Sequence, residues 1–178
     1  MAAWIALLRG INVGGHRRIP MADLRAALES LGYEDVRTLG QSGNVVLRCA
    51  DSAAAVETAI GRVIEERCGV DGVLVVVRSR DQLAHVVKAN PWPDRTGEPK
   101  NLHVTFLSAP PGPAAREKVE AAAAGGEAVV WADGHLYALY VDGMRDSAMA
   151  KLITDRTLGV TATDRNWNTV TKLLELAG

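Results

Sequence analysis

At 178 residues, 48% apolar and 23% charged with a formal net charge of −1, the chain has a globular composition and excludes the low-hydropathy, high-charge profile of a disordered protein. Its 15 Arg and 5 Lys are spread among 21 acidic residues without a basic run, which argues against nucleic acid as a partner. Cys49 and Cys68 stand alone, so the spacings of a zinc site and of a disulfide framework are both missing and reduced core thiols are expected.

The apolar start, Met1 to Leu8, has no basic leader and is cut off by Arg9, too short for a secretory signal. No apolar run approaches the ~20 residues that span a bilayer. A cytoplasmic location without membrane insertion follows as the expectation.

Ala3 to Leu8 reads as a buried strand that runs into the Gly-rich, basic segment Arg9 to Arg18. Met21, Leu24, Leu28 and Leu31 recur at helical spacing; Pro20 suits the first turn and Gly32 the exit. Val36 to Leu39 and Val45 to Cys49 are strands flanking Gly40-Gln41-Ser42-Gly43-Asn44, a hairpin turn. Asp51 or Ser52 caps a second helix with the stripe Val56, Ile60, Val63 and Ile64, closed by Gly69. Val73 to Val77 is a β-branched strand. The order βαββαβ is that of a ferredoxin-like lobe. Ser79 and Gln82 then form a capping box for a third helix, which Asn90-Pro91 stops.

Asn90 to Lys100, with three prolines, is the most linker-like stretch. The expected division is a first lobe over 1–89, a linker over 90–100 and a second lobe over 101–178. In the second lobe Leu102 to Leu107 is a strand, Pro113 opens an Ala-rich helix, and Ala128 to Trp131 pairs with Leu136 to Val141 across Asp133-Gly134. Met149, Leu152 and Ile153 mark a helix up to Gly159, and a last helix starts near Asn166 with Trp167, Val170, Leu173 and Leu174. The predicted class is α+β in two lobes, the second a related βαββαα arrangement ending on helices instead of a strand.

Three polar stretches are candidates for chemistry. In the first, a Gly-rich loop between strand and helix can aim backbone amides at an anion, with Arg9, Asn12, His16, Arg17 and Arg18 adding donors. Gly10, Gly14 and Gly15 fit neither the phosphate loop of nucleotide hydrolases nor the dinucleotide fingerprint, and a solvated turn is the competing reading. The second holds Gln41, Ser42 and Asn44, which turn formation explains as well as ligand binding does. The third is Asp164 to Thr169: Arg165 offers a planar fork of donors, and Asn166 caps the last helix in the plain structural reading. His16, His85, His103 and His135 lie far apart with no metal-ligand spacing, so no metal is expected. No triad or nucleophile elbow is present to settle whether the chain is an enzyme.

The runs Ile5 to Gly15, Ile19-Pro20-Met21, Gln41 to Val46, His103 to Leu107 and Thr163 to Lys172, the last containing Arg165-Asn166-Trp167-Asn168-Thr169-Val170, resemble the bacterial family designated domain of unknown function 1697. The resemblance covers nearly the whole chain. It implies a cytoplasmic bacterial protein of two α/β lobes with ferredoxin-like elements, and no particular activity, substrate or cofactor. Its characteristic stretches fall on the same three polar segments. The chain departs from it at Ala148, where relatives often carry Lys; Arg145 and Lys151 are the nearby cations.

The leading expectation is a binding protein for a small anionic or phosphorylated ligand, with Arg9, Asn12, Gln41, Ser42, Asn44, Arg165, Asn166 and Asn168 lining a polar site between the lobes. The alternatives are an RNA-binding ferredoxin-like module, a hydrolase or transferase using the same cluster, and a purely structural polar staple.

Overall fold

The structure is a computed structural model that describes residues 1–12 and 18–178. The chain divides into two compact units, Met1–Val87 with Thr171–Gly178, and Lys88–Val170.

The first unit contains β1 (Ala2–Arg9), α1 (Met21–Glu29), β2 (Glu34–Thr38), β3 (Asn44–Cys49), α2 (Ala53–Cys68) and β4 (Leu74–Ser79), followed by α3 (Arg80–Lys88). Its four-stranded antiparallel sheet has the order β2-β3-β1-β4, that of the ferredoxin-like arrangement. β1 is apolar up to its closing Arg9 because it is central: Ile5 to Leu8 are buried on both faces. One face, with Ala6, Leu8, Val45, Leu47 and Val77, packs under Leu24 and Leu28 of α1 and Val56, Ile60 and Ile64 of α2. Each of these Val, Leu and Ile side chains contributes roughly 1.5–3 kcal/mol of burial.

Local chemistry sets the helix ends. The Ser52 hydroxyl accepts from the Ala55 amide at 3.3 Å, and Gly69, at φ +64°, takes the left-handed position that closes α2. Ser79 and Gln82 form the reciprocal capping box of α3: the Ser79 amide donates to Gln82 Oε1 at 2.8 Å and the Gln82 amide to Ser79 Oγ at 3.1 Å. At the other end of the unit, the Ala177 and Gly178 carbonyls accept from Arg48 and Arg80.

The second unit contains β5 (Leu102–Leu107), α4 (Pro113–Ala121), β6 (Ala128–Ala132), β7 (His135–Leu139), α5 (Ala148–Leu152), α6 (Asp155–Leu158) and β8 (Ala162–Asn166), and α7 (Trp167–Leu176) follows. Its sheet order, β6-β7-β5-β8, is all antiparallel and repeats that of the first unit. Within residues 90–100, Asn90 Oδ1 accepts from the Trp92 amide at 3.0 Å, Pro93–Arg95 forms a 3-10 turn, and Arg95 holds Glu98 by two bonds of 3.1 and 2.9 Å.

The two-lobed α+β class is observed, and two details are corrected. The second lobe is not βαββαα, because β8 supplies the closing strand before α7. The sequence Ala-Thr-Asp-Arg-Asn lacks apolar alternation; the side chains it buries include Thr163 and Arg165. Strand pairing with β5 here overrides composition. The helix expected up to Gly159 is also two short ones, broken where Ile153 leaves helical geometry and Thr154 caps α6 through the Thr157 amide.

Candidate functional site

The segment leaving β1 is organised by Asn12. Its backbone sits at φ +55°, a left-handed conformation that Asn tolerates better than most residues. Its side-chain amide donates to the carbonyls of Ile19 at 3.0 Å and Gln41 at 2.8 Å, while its oxygen accepts from the Ile19 amide at 2.8 Å. Asn12 thereby ties Ile19 to the turn between β2 and β3. The intervening candidates His16 and Arg17, with Gly14 and Gly15, lie outside the described residues. Arg9 is half-buried and faces a separate hollow with Gly10, Gly72 and Leu74.

The turn is fixed from beneath. The Asn44 side chain is buried and donates to the Leu39 carbonyl and to Ser42 Oγ, both at 3.1 Å. Gly43 has φ +76°, and a Cβ there would lie 2.7 Å from Leu8 Cβ and 3.1 Å from Ile11. Its carbonyl accepts from the Leu8 amide at 2.7 Å. Gln41 and Ser42 remain exposed.

Asn12, Arg18, Ile19, Pro20 and Gln41 line a cavity of about 360 Å³, within the range of small-molecule sites. Arg18 is exposed, Ile19 buried and Pro20 exposed. The cavity adjoins the start of α1, which follows Pro20 and has no side-chain cap; its first-turn amides therefore lack the partner that Ser52 provides in α2. Asp23 is the acid on that turn, and its charge is felt at Cys68 of α2. Burial pushes the Cys49 and Cys68 thiols up from their ordinary values, which disfavours a nucleophilic thiolate in either.

In the second unit the structure brings together a set the sequence reading did not select. His103 and Thr105 of β5 face Asp164 of β8 through the register Thr105↔Asp164. His103 Nδ1 lies 2.6 Å from Asp164 Oδ2, Thr105 Oγ1 donates to Asp164 Oδ1 at 3.0 Å, and His103 Nε2 lies 3.1 Å from the Lys100 carbonyl. Both ring nitrogens face acceptors, so the cationic, doubly protonated ring satisfies both. Burial pulls the His103 pKa down, but the Asp164 hydrogen bond and charge and the Lys100 carbonyl outweigh it and raise the value. The only sequence signal was His-x-Thr on a strand; its partner lies 61 positions away in the strand that composition concealed.

Arg165 is buried, and its Nη1 donates to Thr163 Oγ1 at 2.8 Å and to the Asp164 carbonyl at 2.6 Å. Burial lowers its pKa to about 10 against the opposing charge of Asp164, leaving it a cation at neutral pH. Asn166 Oδ1 accepts from the Thr169 amide at 2.9 Å, capping α7, and Asn168 is exposed. The candidates thus fall into two sets, Asn12, Gln41, Ser42 and Asn44 in the first unit and Arg165, Asn166 and Asn168 in the second, with Arg9 of the first unit apart at its own hollow.

Among the described residues no group of three or more His, Cys, Asp or Glu is arranged to hold a metal ion, and no helix is long and apolar enough to cross a membrane.

Two antiparallel sheets of identical strand order, the first following βαββαβ and the second the same course with two short helices before its closing strand, define a tandem ferredoxin-like protein. The family model described as "Protein of unknown function (DUF1697)" matches residues 1–137, and the chain belongs to that family. Among solved structures it is similar to the conserved bacterial protein SP0830 from Streptococcus pneumoniae, at 21% identity and TM-score 0.78, covering 99% of each chain. That likeness concerns the fold. No curated protein matches the chain.

Proposed function

We propose that this chain is a cytoplasmic bacterial binding protein for a small phosphorylated anion, seated in the first unit where the loop after β1, the β2–β3 turn and the start of α1 meet. The observation that carries the reading is the cavity of about 360 Å³ lined by Asn12, Arg18, Ile19, Pro20 and Gln41 beside the uncapped α1. A helix start presents unsatisfied amides and a partial positive charge, and Arg18 adds a full one. Asn12 spends its side chain on backbone groups, which makes it the residue that shapes the site while Arg18 supplies charge.

Every Phe, Tyr and Trp is buried or half-buried, which favours an anion over stacked RNA bases, since those need open aromatic platforms. A thermal-shift screen with inorganic phosphate, pyrophosphate and nucleoside mono- and diphosphates tests the proposal. Stabilisation by at least one of them, lost in Arg18→Ala and retained in Arg165→Ala, is expected. Stabilisation by none, or stabilisation indifferent to Arg18→Ala, contradicts it.

A second reading has a specific observation behind it: Asn12, Asn44 and Asn166 all bond to backbone groups. In that reading the polar segments staple each unit internally. Arg165→Ala then costs about 3 kcal/mol by stranding buried polar partners, and no anion stabilises the chain.

A further inference from the structure

The four outer strands of the two sheets are not treated alike. β2 carries Glu34, Asp35 and Arg37 among its five residues, and its pairing shifts register between Glu34 and Arg37. β4 has its outward Val77 amide bonded to Glu57 Oε1 of α2 at 2.9 Å. β8 has its outward Ala162 amide bonded to Asp155 Oδ1 of α6 at 2.8 Å. Charge, irregular pairing and side-chain caps are the usual means of preventing an exposed edge from recruiting another strand.

β6 has none of them. It reads Ala128-Val129-Val130-Trp131-Ala132, with no charge, no proline and a continuous register to β7. Among the described residues no side chain bonds to its backbone. The two-residue turn makes Ala132 and His135 a hydrogen-bonded pair, a phase consistent with the Tyr140 amide donating to the Asn101 carbonyl and the Leu107 amide to the Gly134 carbonyl on the far side of β7. By alternation, the N–H and C=O groups of Val129 and Trp131 point out of the sheet. Trp131 is held in place, its indole N–H donating to Glu120 Oε1 at 2.7 Å and its ring under the Arg116 guanidinium at 5.4 Å, so the edge is pre-organised. Val130 is 39% exposed.

We propose that β6 is a docking edge that accepts an extended peptide with a β-branched centre and basic ends as a fifth strand of the second sheet. The charges at its two ends select the occupant. Glu127 precedes the strand, Asp133 follows it and Glu120 lies beside Trp131; the nearby cation, Arg116, is engaged by the indole face and by the Pro111 carbonyl at 3.1 Å. A second copy pairing antiparallel about Val130 would set Glu127 opposite Asp133 at both ends, a like-charge arrangement that opposes pairing. A lysine at each end of a seven-residue strand meets those acids in either direction. This is recognition by strand addition, in which main-chain bonds supply affinity and flanking groups supply selectivity.

The test uses the full chain, uniformly labelled with ¹⁵N, titrated with the capped heptapeptide Lys-Val-Thr-Val-Thr-Val-Lys and with its counterpart bearing Glu at both ends. The Lys-ended peptide is expected to move the Val129 and Trp131 amide resonances with at least tenfold tighter binding than the Glu-ended one. Val129→Pro, which removes an outward N–H without breaking the ladder to β7, abolishes the shifts. The double variant Glu127→Lys with Asp133→Lys, which leaves the strand untouched, reverses the preference. Overturning results are no binding of either peptide, shifts confined to residues away from β6, an unaltered preference in the double variant, or self-association of the chain that Val129→Pro removes.

Discussion

The two units share a strand order and differ in where they keep their polar side chains. In the first unit they gather at connections: Asn12 ties Ile19 to the β2–β3 turn, Asn44 at the start of β3 pins that turn, and Arg18 lines a cavity. In the second a polar set lies within the sheet: His103, Thr105, Thr163 and Arg165 are buried in β5 and β8, the Asp164 carboxylate bonds His103 and Thr105 across the strands, and Arg165 bonds Thr163. One topology therefore supports two polar designs. Groups spent on turns bond to backbone carbonyls and amides beside a cavity, whereas groups paired inside a sheet satisfy one another and fix strand register.

The strongest way to break this contrast is at Gly43. Gly43→Ala forces a Cβ into Leu8 at 2.7 Å while keeping φ +76°, and it is expected to cost about 3 kcal/mol from the sum of left-handed strain and overpacking. Gly40→Ala, at φ +65° with open space around it, costs about 1 kcal/mol. Urea unfolding of the two variants measures the gap; equal losses would remove the claim that the turn is locked onto β1.

A smaller effect is expected at Asn12. Asn12→Ala loses three hydrogen bonds and strains a left-handed position, about 2 kcal/mol together, whereas Asn12→Gly keeps the backbone freedom and loses about 1 kcal/mol. Denaturant midpoints that fail to separate the two would contradict the backbone argument.

The smallest effect sharpens the second unit. The His103 pKa is raised in the folded chain, so its contribution to stability is fully present below the unfolded value of about 6.5 and is lost as pH rises through the higher folded value. Thermal melts from pH 5 to 9 should show that decline, and Asp164→Asn, which removes the partner carboxylate, should flatten it. An NMR titration placing His103 below the ordinary histidine value would contradict the cationic ring.

Much of the first unit was legible in the sequence, because its elements end on residues with one strong local role. Ser52 caps α2, Gly69 ends it, and Ser79 with Gln82 starts α3. β8 was not legible: a strand of Thr, Asp, Arg and Asn is recognisable only once β5 offers it partners. The candidate site was visible as a density of polar residues, yet their division of labour was not. The Asn12 amide bonds to Ile19 and Gln41, which lie 7 and 29 positions away, and local spacing does not announce such partners; Arg18 joins them only as a lining residue of the cavity.

The most direct measurement of whether the first-unit cavity is an anion site follows backbone amides while pyrophosphate is added to the ¹⁵N-labelled chain. Saturable shifts at Met21, Ala22 and Asp23 that disappear in Arg18→Ala are the predicted result. Shifts absent from that turn, or unchanged in the variant, would contradict it.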